Sequence, residues 1–499
     1  MKLKYSILIS LAVAFGMASC MDLEREDFTE ISPDNFFKTE TDLKLAVDAL
    51  HYEFNTGDWN GVYCPDYNGY QTVSDLTTDA MWCNWGWESD EYFFHQWTGT
   101  TGTVQNNFWN LFDHYNYLSQ ARNTIRRIEA SPVEASVKNK YLGQAHALRG
   151  WMGLFLYDMF GPVPVAGDDI LDDPETFVYL PRLTDEEYDA MMEEDLLTAI
   201  ELLPEMPERR GDMAKGPARM VLMKYYMIRG QFDKAEKIAR DLYAMEGRYT
   251  LQSDYNYVFS QEGIGNNGII LQIPCNLSLS SACNYFTAEV LPTDMVWTEK
   301  STGWGGYVMA WDFYDTYEPG DKRLGQVYTS YTNTSGKVIS RSDMKYGAVA
   351  LKYGKDPDMT DAKSGIDLVI YRYSDVLLSL AELTVRNTGA VSQEAIELVN
   401  RVRSRAGLAD LDASATGSAD AFLEALLTER GHEFYFEGLR RQDLIRFGKY
   451  VEYANKRISK INTDEGRGYF NVDDSHNRMP IPADFINESK SAIKQNPLY

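Results

Sequence analysis

Histidine is scarce: six residues in 499, at His51, His95, His114, His146, His432 and His476. None falls in a His-x-x-x-His or His-Glu-x-x-His arrangement, so the usual zinc-hydrolase spacing is missing. There is no Gly-x-Ser-x-Gly elbow to carry a nucleophilic serine. Carboxylates are plentiful, yet nothing in their spacing singles out a glycosidase pair. Basic residues are outnumbered, 48 Lys and Arg against 74 Asp and Glu, for a formal charge of -26. Such a surface repels phosphates and excludes nucleic acid as a natural partner. It also repels anionic head groups, so membrane attachment needs an anchor rather than a basic patch. After the first twenty residues no apolar run is long enough to span a bilayer.

Those first residues supply an anchor. Lys2 and Lys4 precede a short apolar stretch from Ser6 to Ala18, which ends at Met17-Ala18-Ser19-Cys20. The arrangement resembles a lipoprotein signal peptide over residues 1–19, with Cys20 as the diacylated N-terminus and Met17 in place of the usual Leu. The other cysteines are Cys64, Cys83, Cys275 and Cys283. In an exported chain they suffice for two disulfides or stay free thiols; their spacing fits no zinc site.

Helical periodicity is plain in places. Apolar residues at Val137, Tyr141, Ala145, Leu148, Met152, Phe155 and Met159 follow one helical face, stopped by Gly161-Pro162. A helix pair is expected from about Ala218 to Leu242, broken at Gly230, where Gly230 to Ala235 resembles a tetratricopeptide turn. A third pair is expected from about Tyr371 to Arg405, and a fourth candidate near Leu43 to Phe54. Between them lie stretches rich in Gly and aromatics, about 55–107, 250–310 and 325–368, too long to be ordinary connections. Gly263-Ile264-Gly265-Asn266-Asn267-Gly268 matches Gly-x-Gly-x-x-Gly, but it precedes the strand-like Ile269–Ile273 and reads as a turn. Asp356, Asp358 and Asp361 lack the Gly and Glu of a calcium loop. Neither metal nor cofactor is expected.

The C-terminal third carries a dense set of motifs: Glu429-Arg430, Glu433-Phe434, Phe436-Glu437-Gly438, Arg440, Asp443-Leu444, Arg446-Phe447-Gly448, and the closing Gln495-Asn496-Pro497-Leu498-Tyr499. Tyr371-Arg372-Tyr373, Ala381-Glu382, Asn400-Arg401-Val402-Arg403 and Arg405-Ala406-Gly407 precede them. Ala147-Leu148-Arg149-Gly150-Trp151 and Phe160-Gly161-Pro162-Val163-Pro164 lie further upstream. Together they resemble the SusD/RagB family of nutrient-binding lipoproteins over nearly the whole chain after Cys20. The departures are small: Gly150 where Ala is common, and Leu498 where Gly is common.

The resemblance implies a mainly α protein of four tetratricopeptide-like helix pairs, with long irregular loops carrying the ligand site. It implies one domain over 20–499, with an N-terminal part at about 20–230 and a C-terminal part at about 260–499. It also implies a surface-exposed, lipid-anchored place on the outer membrane, for which the acidic run Asp22, Glu24, Glu26 and Asp27 resembles an export signal. The expected partner is a SusC-like TonB-dependent transporter and the expected ligand a glycan; the RagB-like branch takes peptides instead. No catalytic activity is implied. The Glu429–Arg446 cluster reads as scaffold, with Glu429, Glu433 and Glu437 four apart and Arg430 and Arg440 near for ion pairs.

Tryptophan marks where a ligand would sit. Trp59, Trp82, Trp85, Trp87, Trp97 and Trp109 crowd one window; Trp297, Trp304 and Trp311 form a second; only Trp151 stands apart, on a helix. Ring faces suit sugars because pyranose C–H groups are slightly positive and the faces negative. Three Trp among Trp82 to Trp87 cannot all enter one core from a turn-like segment, and glycines beside Trp304 leave its ring accessible. The candidate ligand-binding residues are therefore Trp82, Trp85, Trp304 and Trp297, with Asn84, Asp66 and Tyr285 as supporting contacts.

Overall fold

The structure, a computed structural model, describes residues 36–57, 61–63, 69–86, 89–98, 102–173 and 177–499, and side chains at all of these except 89–90 and 102–107. Cys20, Trp59, Cys64, Asp66 and Trp87 lie outside the described residues.

Helices dominate. The main ones are α1 (Glu40–Tyr52), α2 (Tyr115–Ala130), α3 (Ala135–Phe160), α4 (Asp185–Leu202), α5 (Lys215–Ile228), α6 (Phe232–Tyr243), α7 (Tyr373–Thr388), α8 (Gln393–Arg405), α9 (Ala419–Glu433), α10 (Arg440–Arg446) and α11 (Tyr450–Glu465). From α2 to α8 each helix packs on the next. The expected pairs at 218–242 and 371–405 are α5–α6 and α7–α8, and α1 answers the candidate at 43–54. Helices α2 and α4 complete the series. Helix α4 opens with a capping box: the Thr184 hydroxyl accepts from the Glu187 N–H, and the Glu187 carboxylate accepts from the Thr184 N–H.

Helix α3 departs from its expected single apolar face. From Gly143 to Phe160 every residue is buried, because α1, α2, α4 and α5 all pack around it. Its polar residues find partners inside: His146 Nδ1 and Arg149 Nε lie 2.7 and 2.6 Å from the Asp195 carboxylate on α4. Gly150, the departure from the family's Ala, has a reason here. A Cβ at that position would lie 2.6 Å from the Leu196 side chain, so glycine lets α4 close on α3.

Strands are short: β1 (Met81–Cys83), β2 (Ile269–Ile273), β3 (Tyr307–Ala310), β4 (Val327–Tyr328), β5 (Tyr331–Thr332), β6 (Val338–Ile339), β7 (Gly347–Ala350) and β8 (Leu368–Arg372). The Gly263–Gly268 segment is a turn, with the Asn266 N–H donating to the Gly263 carbonyl, and it feeds β2. Strand β2 pairs antiparallel with β8. A four-stranded sheet runs β1-β3-β7-β4, all antiparallel.

The charges of the Glu429–Arg446 segment are largely buried, as scaffold should be, and its three glutamates, Glu429, Glu433 and Glu437, take their partners from outside the segment. Glu429 and Glu433 receive Arg323 from the 322–326 turn; Glu433 also receives Arg372 at the end of β8 and Arg405 of α8. Glu437 pairs with Arg372 and Lys352. Arg430 reaches Asp375 at 3.0 Å and Asp443 at 2.8 Å, and Arg446 reaches Glu382 at 2.6 Å. Arg440 pairs with Asp79. The expected pairing with Arg430 and Arg440 is replaced because Arg430 is taken by Asp375 and Asp443 and Arg440 by Asp79, while Glu437 leaves the helical spacing, α9 ending at Glu433 and Phe436 taking φ 58°. Surrounded by three guanidiniums, the Glu433 carboxyl is held well below its ordinary range despite burial, which pushes the other way.

Cys275 and Cys283 are free thiols. Thr56 anchors this region by donating to the Cys283 carbonyl at 2.7 Å. Asp356 is consumed by its own turn, accepting from Ser364 Oγ, the Gly365 N–H and the Asp358 N–H.

Candidate functional site

The β1-β3-β7-β4 sheet joins the three long irregular stretches. Trp82 of β1 is register partner to Val308 of β3, and Met309 of β3 to Ala348 of β7. Just past β1, the Asn84 N–H donates to the Gly306 carbonyl at 2.6 Å, and Asn84 Nδ2 donates to the Gly305 carbonyl at 3.0 Å. The two tryptophan windows, more than two hundred residues apart, are thus stitched along one edge.

Beside that seam is a solvent-open pocket of about 580 Å³. Asn84, Trp85, Trp304, Tyr331, Tyr346 and Asp294 are among its lining residues. Trp85 leans on Gly306, where a Cβ would lie 2.5 Å from the indole, so only glycine lets the ring settle there. Trp304 is half-buried, its backbone N–H donating to the Ala288 carbonyl at 2.6 Å, and Tyr285 stacks behind its ring with centroids 5.7 Å apart and planes at 23°. Tyr285 thus supports Trp304 rather than lining the pocket. Its hydroxyl donates to the Ser280 carbonyl.

Trp82 also acts from behind. Its ring lies flat against Tyr346, centroids 4.5 Å apart and planes at 10°, with Phe93 at 4.1 Å. Such pairs contribute about 0.5–1.5 kcal/mol beyond burial, enough to hold Tyr346 in one orientation. Trp297 is elsewhere. It is 6% exposed, edge-on to Tyr328 and 4.9 Å below the Lys355 ammonium, so it serves packing and does not face the pocket. Trp304 has glycine on both sides, whereas Trp297 stands between Val296 and Thr298.

Tyr346, Tyr331 and Asp294 were not legible as site residues. They sit in or against the 325–368 stretch, which contains no tryptophan. The Tyr331 hydroxyl donates to Asp294 at 2.8 Å, and Asn333 Nδ2 donates to the other carboxylate oxygen at 3.1 Å. Burial and that carboxylate push the Tyr331 phenol well above its ordinary value. At the rim, bonds from the Ser340 N–H and hydroxyl bring Asp343 down to about 2, so it is ionised at neutral pH. Lys345, also lining the pocket, lies 4.7 Å from the Tyr346 ring centroid.

Comparison with known proteins matches this architecture. Residues 27–219 match a family described as starch-binding and associating with the outer membrane, and residues 325–499 match the SusD family. The chain belongs to the SusD/RagB family. SusD-like protein P2 of Formosa agariphila is 24% identical, the alignment covering 99% of this chain and all of that one. Starch-binding protein SusD of Bacteroides thetaiotaomicron is 29% identical over 133 residues, 27% of this chain and 22% of that one. A solved SusD homolog from the same organism superposes with a TM-score of 0.78 at 20% identity, covering 94% of this chain and 99% of that one. Its surface glycan-binding protein A, solved with laminarihexaose, gives 0.71 at 20% identity, covering 91% and 98%. The family's helical scaffold is the one described above. Among the described residues, no helix is long and apolar enough to cross a membrane.

Proposed function

We propose that this protein captures a glycan at the cell surface, in the pocket bounded by Trp85, Trp304 and Tyr346. The observation that carries the reading is the set of three aromatic side chains around one open pocket, with Asn84 and Asp294 beside them. Aromatic faces take up sugar C–H groups, and fixed polar groups orient hydroxyls. Each ring is held by packing from behind, so little conformational entropy is lost on binding. The carboxylates are already committed, Asp294 to Tyr331 and Asn333 and Asp343 to Ser340. That favours binding over catalysis. The structural likeness to a laminarihexaose-binding protein supports a carbohydrate over other nutrients.

In this reading Cys20 carries the lipid that fixes the chain to the outer face of the outer membrane. The captured glycan passes to a SusC-like TonB-dependent transporter. Titration of the purified protein against a polysaccharide panel tests it. Binding of at least one polysaccharide is expected, with loss of at least tenfold in affinity for the Trp85→Ala, Trp304→Ala double variant, roughly the contribution of two stacked rings. No affinity for any polysaccharide, with peptides copurifying instead, would overturn it in favour of a RagB-like peptide carrier.

A further inference from the structure

Tyr346 has a pocket on each side. Beyond the Trp82–Tyr346 stack lies a second one of about 290 Å³, lined by Trp82, Trp311, Tyr346, Arg457, Asp312 and Ile461 among others. Tyr346 and Lys345 line both pockets. The second has the makings of a sugar site. Trp311 is half-buried, its indole N–H donating to the Met344 carbonyl at 2.7 Å, with the Arg341 guanidinium 4.2 Å from its ring centroid. Arg457 of α11 lies 4.0 Å over the Phe93 ring and donates to the carbonyls of Thr78 and Asp79. Among the described side chains no carboxylate lies within ion-pair distance of Arg457, whereas Lys460 is paired with Asp464, and Lys345 with Glu465. Burial draws Arg457 down to about 10, so it stays cationic at neutral pH. Asp312, exposed and lining the same pocket, supplies an acceptor.

We infer that the second pocket is a further subsite for the same glycan, so that the preferred ligand is a chain crossing the edge of Tyr346 rather than a short end-bound oligosaccharide. The inference rests on the glycan reading above. The shared ring makes the two pockets consecutive along one path. The second pocket sets aromatic faces beside three cations, Lys345, Arg457 and Lys460, and three carboxylates, Asp312, Asp464 and Glu465, with no excess of either sign, which suits a neutral sugar unit. A ligand confined to the first pocket would gain nothing from Trp311.

The test uses malto-, laminari- and xylo-oligosaccharides from disaccharide to octasaccharide, titrated by calorimetry against the whole protein and two variants. Trp311→Ala removes a ring of the second pocket, and Ile461→Trp fills that pocket from α11 without touching the first. In the series that binds, affinity is expected to rise about tenfold from the shortest bound chain to the longest, the worth of one more stacked ring. Both variants should erase that rise and leave the shortest bound chain unchanged. Affinity independent of length, or a rise that survives Ile461→Trp, overturns the second subsite and leaves the first standing. Failure of all three series together with the polysaccharide panel overturns the glycan reading and this inference with it.

Discussion

The indole of Trp82 and the phenol of Tyr346 lie face to face, 4.5 Å between centroids, although one stands on β1 and the other just before β7. Trp82 therefore acts as a backing plate and Tyr346 as the surface it supports. Tyr346→Ala is expected to weaken glycan binding by about tenfold, while thermal stability falls only modestly because the ring is half-exposed. Calorimetric titration beside a melting curve checks both parts.

Trp304 and Trp297 should separate cleanly. Trp304→Ala removes a pocket wall and is expected to cost affinity with a small change in melting temperature. Trp297→Ala empties a buried site and is expected to cost about 3–5 kcal/mol of stability, with the affinity of the folded fraction intact. Denaturant unfolding and titration of both variants, each measured on the same preparation, distinguish the two roles. A swapped pattern would place the site elsewhere.

Glu433 accepts from Arg323, Arg372 and Arg405 in the core. Glu433→Gln leaves three guanidiniums short of their counter-charge and should destabilise by about 3–5 kcal/mol. The wild-type carboxyl is held well below 4.5, the ordinary value. Its stabilising contribution is complete above that value and disappears as pH falls through the depressed folded one. Unfolding followed between neutral and strongly acid pH should show the wild type losing stability there while Glu433→Gln lacks that share of the loss.

Asp75 behaves the opposite way. It is fully buried on the short helix Tyr70–Leu76, and one of its oxygens accepts from the Gly438 N–H at 2.7 Å. Burial pushes it up to about 8. Between its ordinary 3.8 and that value the folded state holds a proton that the unfolded state releases, so this group makes stability fall as pH rises through the window. Asp75→Asn should remove that slope and exceed the wild type by about 1–3 kcal/mol near pH 9, read from denaturant midpoints across the range. A slope unchanged by the substitution would show that Asp75 is ionised at neutral pH.

The lipid anchor has its own check. Cells fed a radioactive fatty acid should label the chain, and Cys20→Ala should abolish the label. Label that persists in the variant would remove Cys20 from the reading.

The scaffold was legible where periodicity is strong. The apolar spacing from Val137 to Met159 and the Gly230 turn each mark helices that the structure contains. What could not be read was anything depending on pairing at a distance. Met81-Trp82-Cys83 is too short to show alternation, so β1 exists only because β3 lies beside it. Trp297 and Trp304 share one tryptophan window; the flanking glycines of Trp304 are the single sequence difference that anticipates the burial of Trp297. Tyr346 stood beside Lys345 and Gly347 with nothing to mark it, since its role comes from Trp82. The four-residue spacing of Glu429, Glu433 and Glu437 suggested local ion pairs, whereas Arg323, Arg372 and Arg405 come from other parts of the chain.

The pairing of β1 with β3 also sets a timetable. A three-residue strand closing a loop of more than two hundred residues gains little local support, so this closure is expected late in folding, once the helices have drawn the two segments together. The same seam should be among the first parts to open transiently in the folded protein. A glycan held between Asn84 and Trp304 would bridge both sides, and amide hydrogens at the seam should exchange more slowly once it is bound.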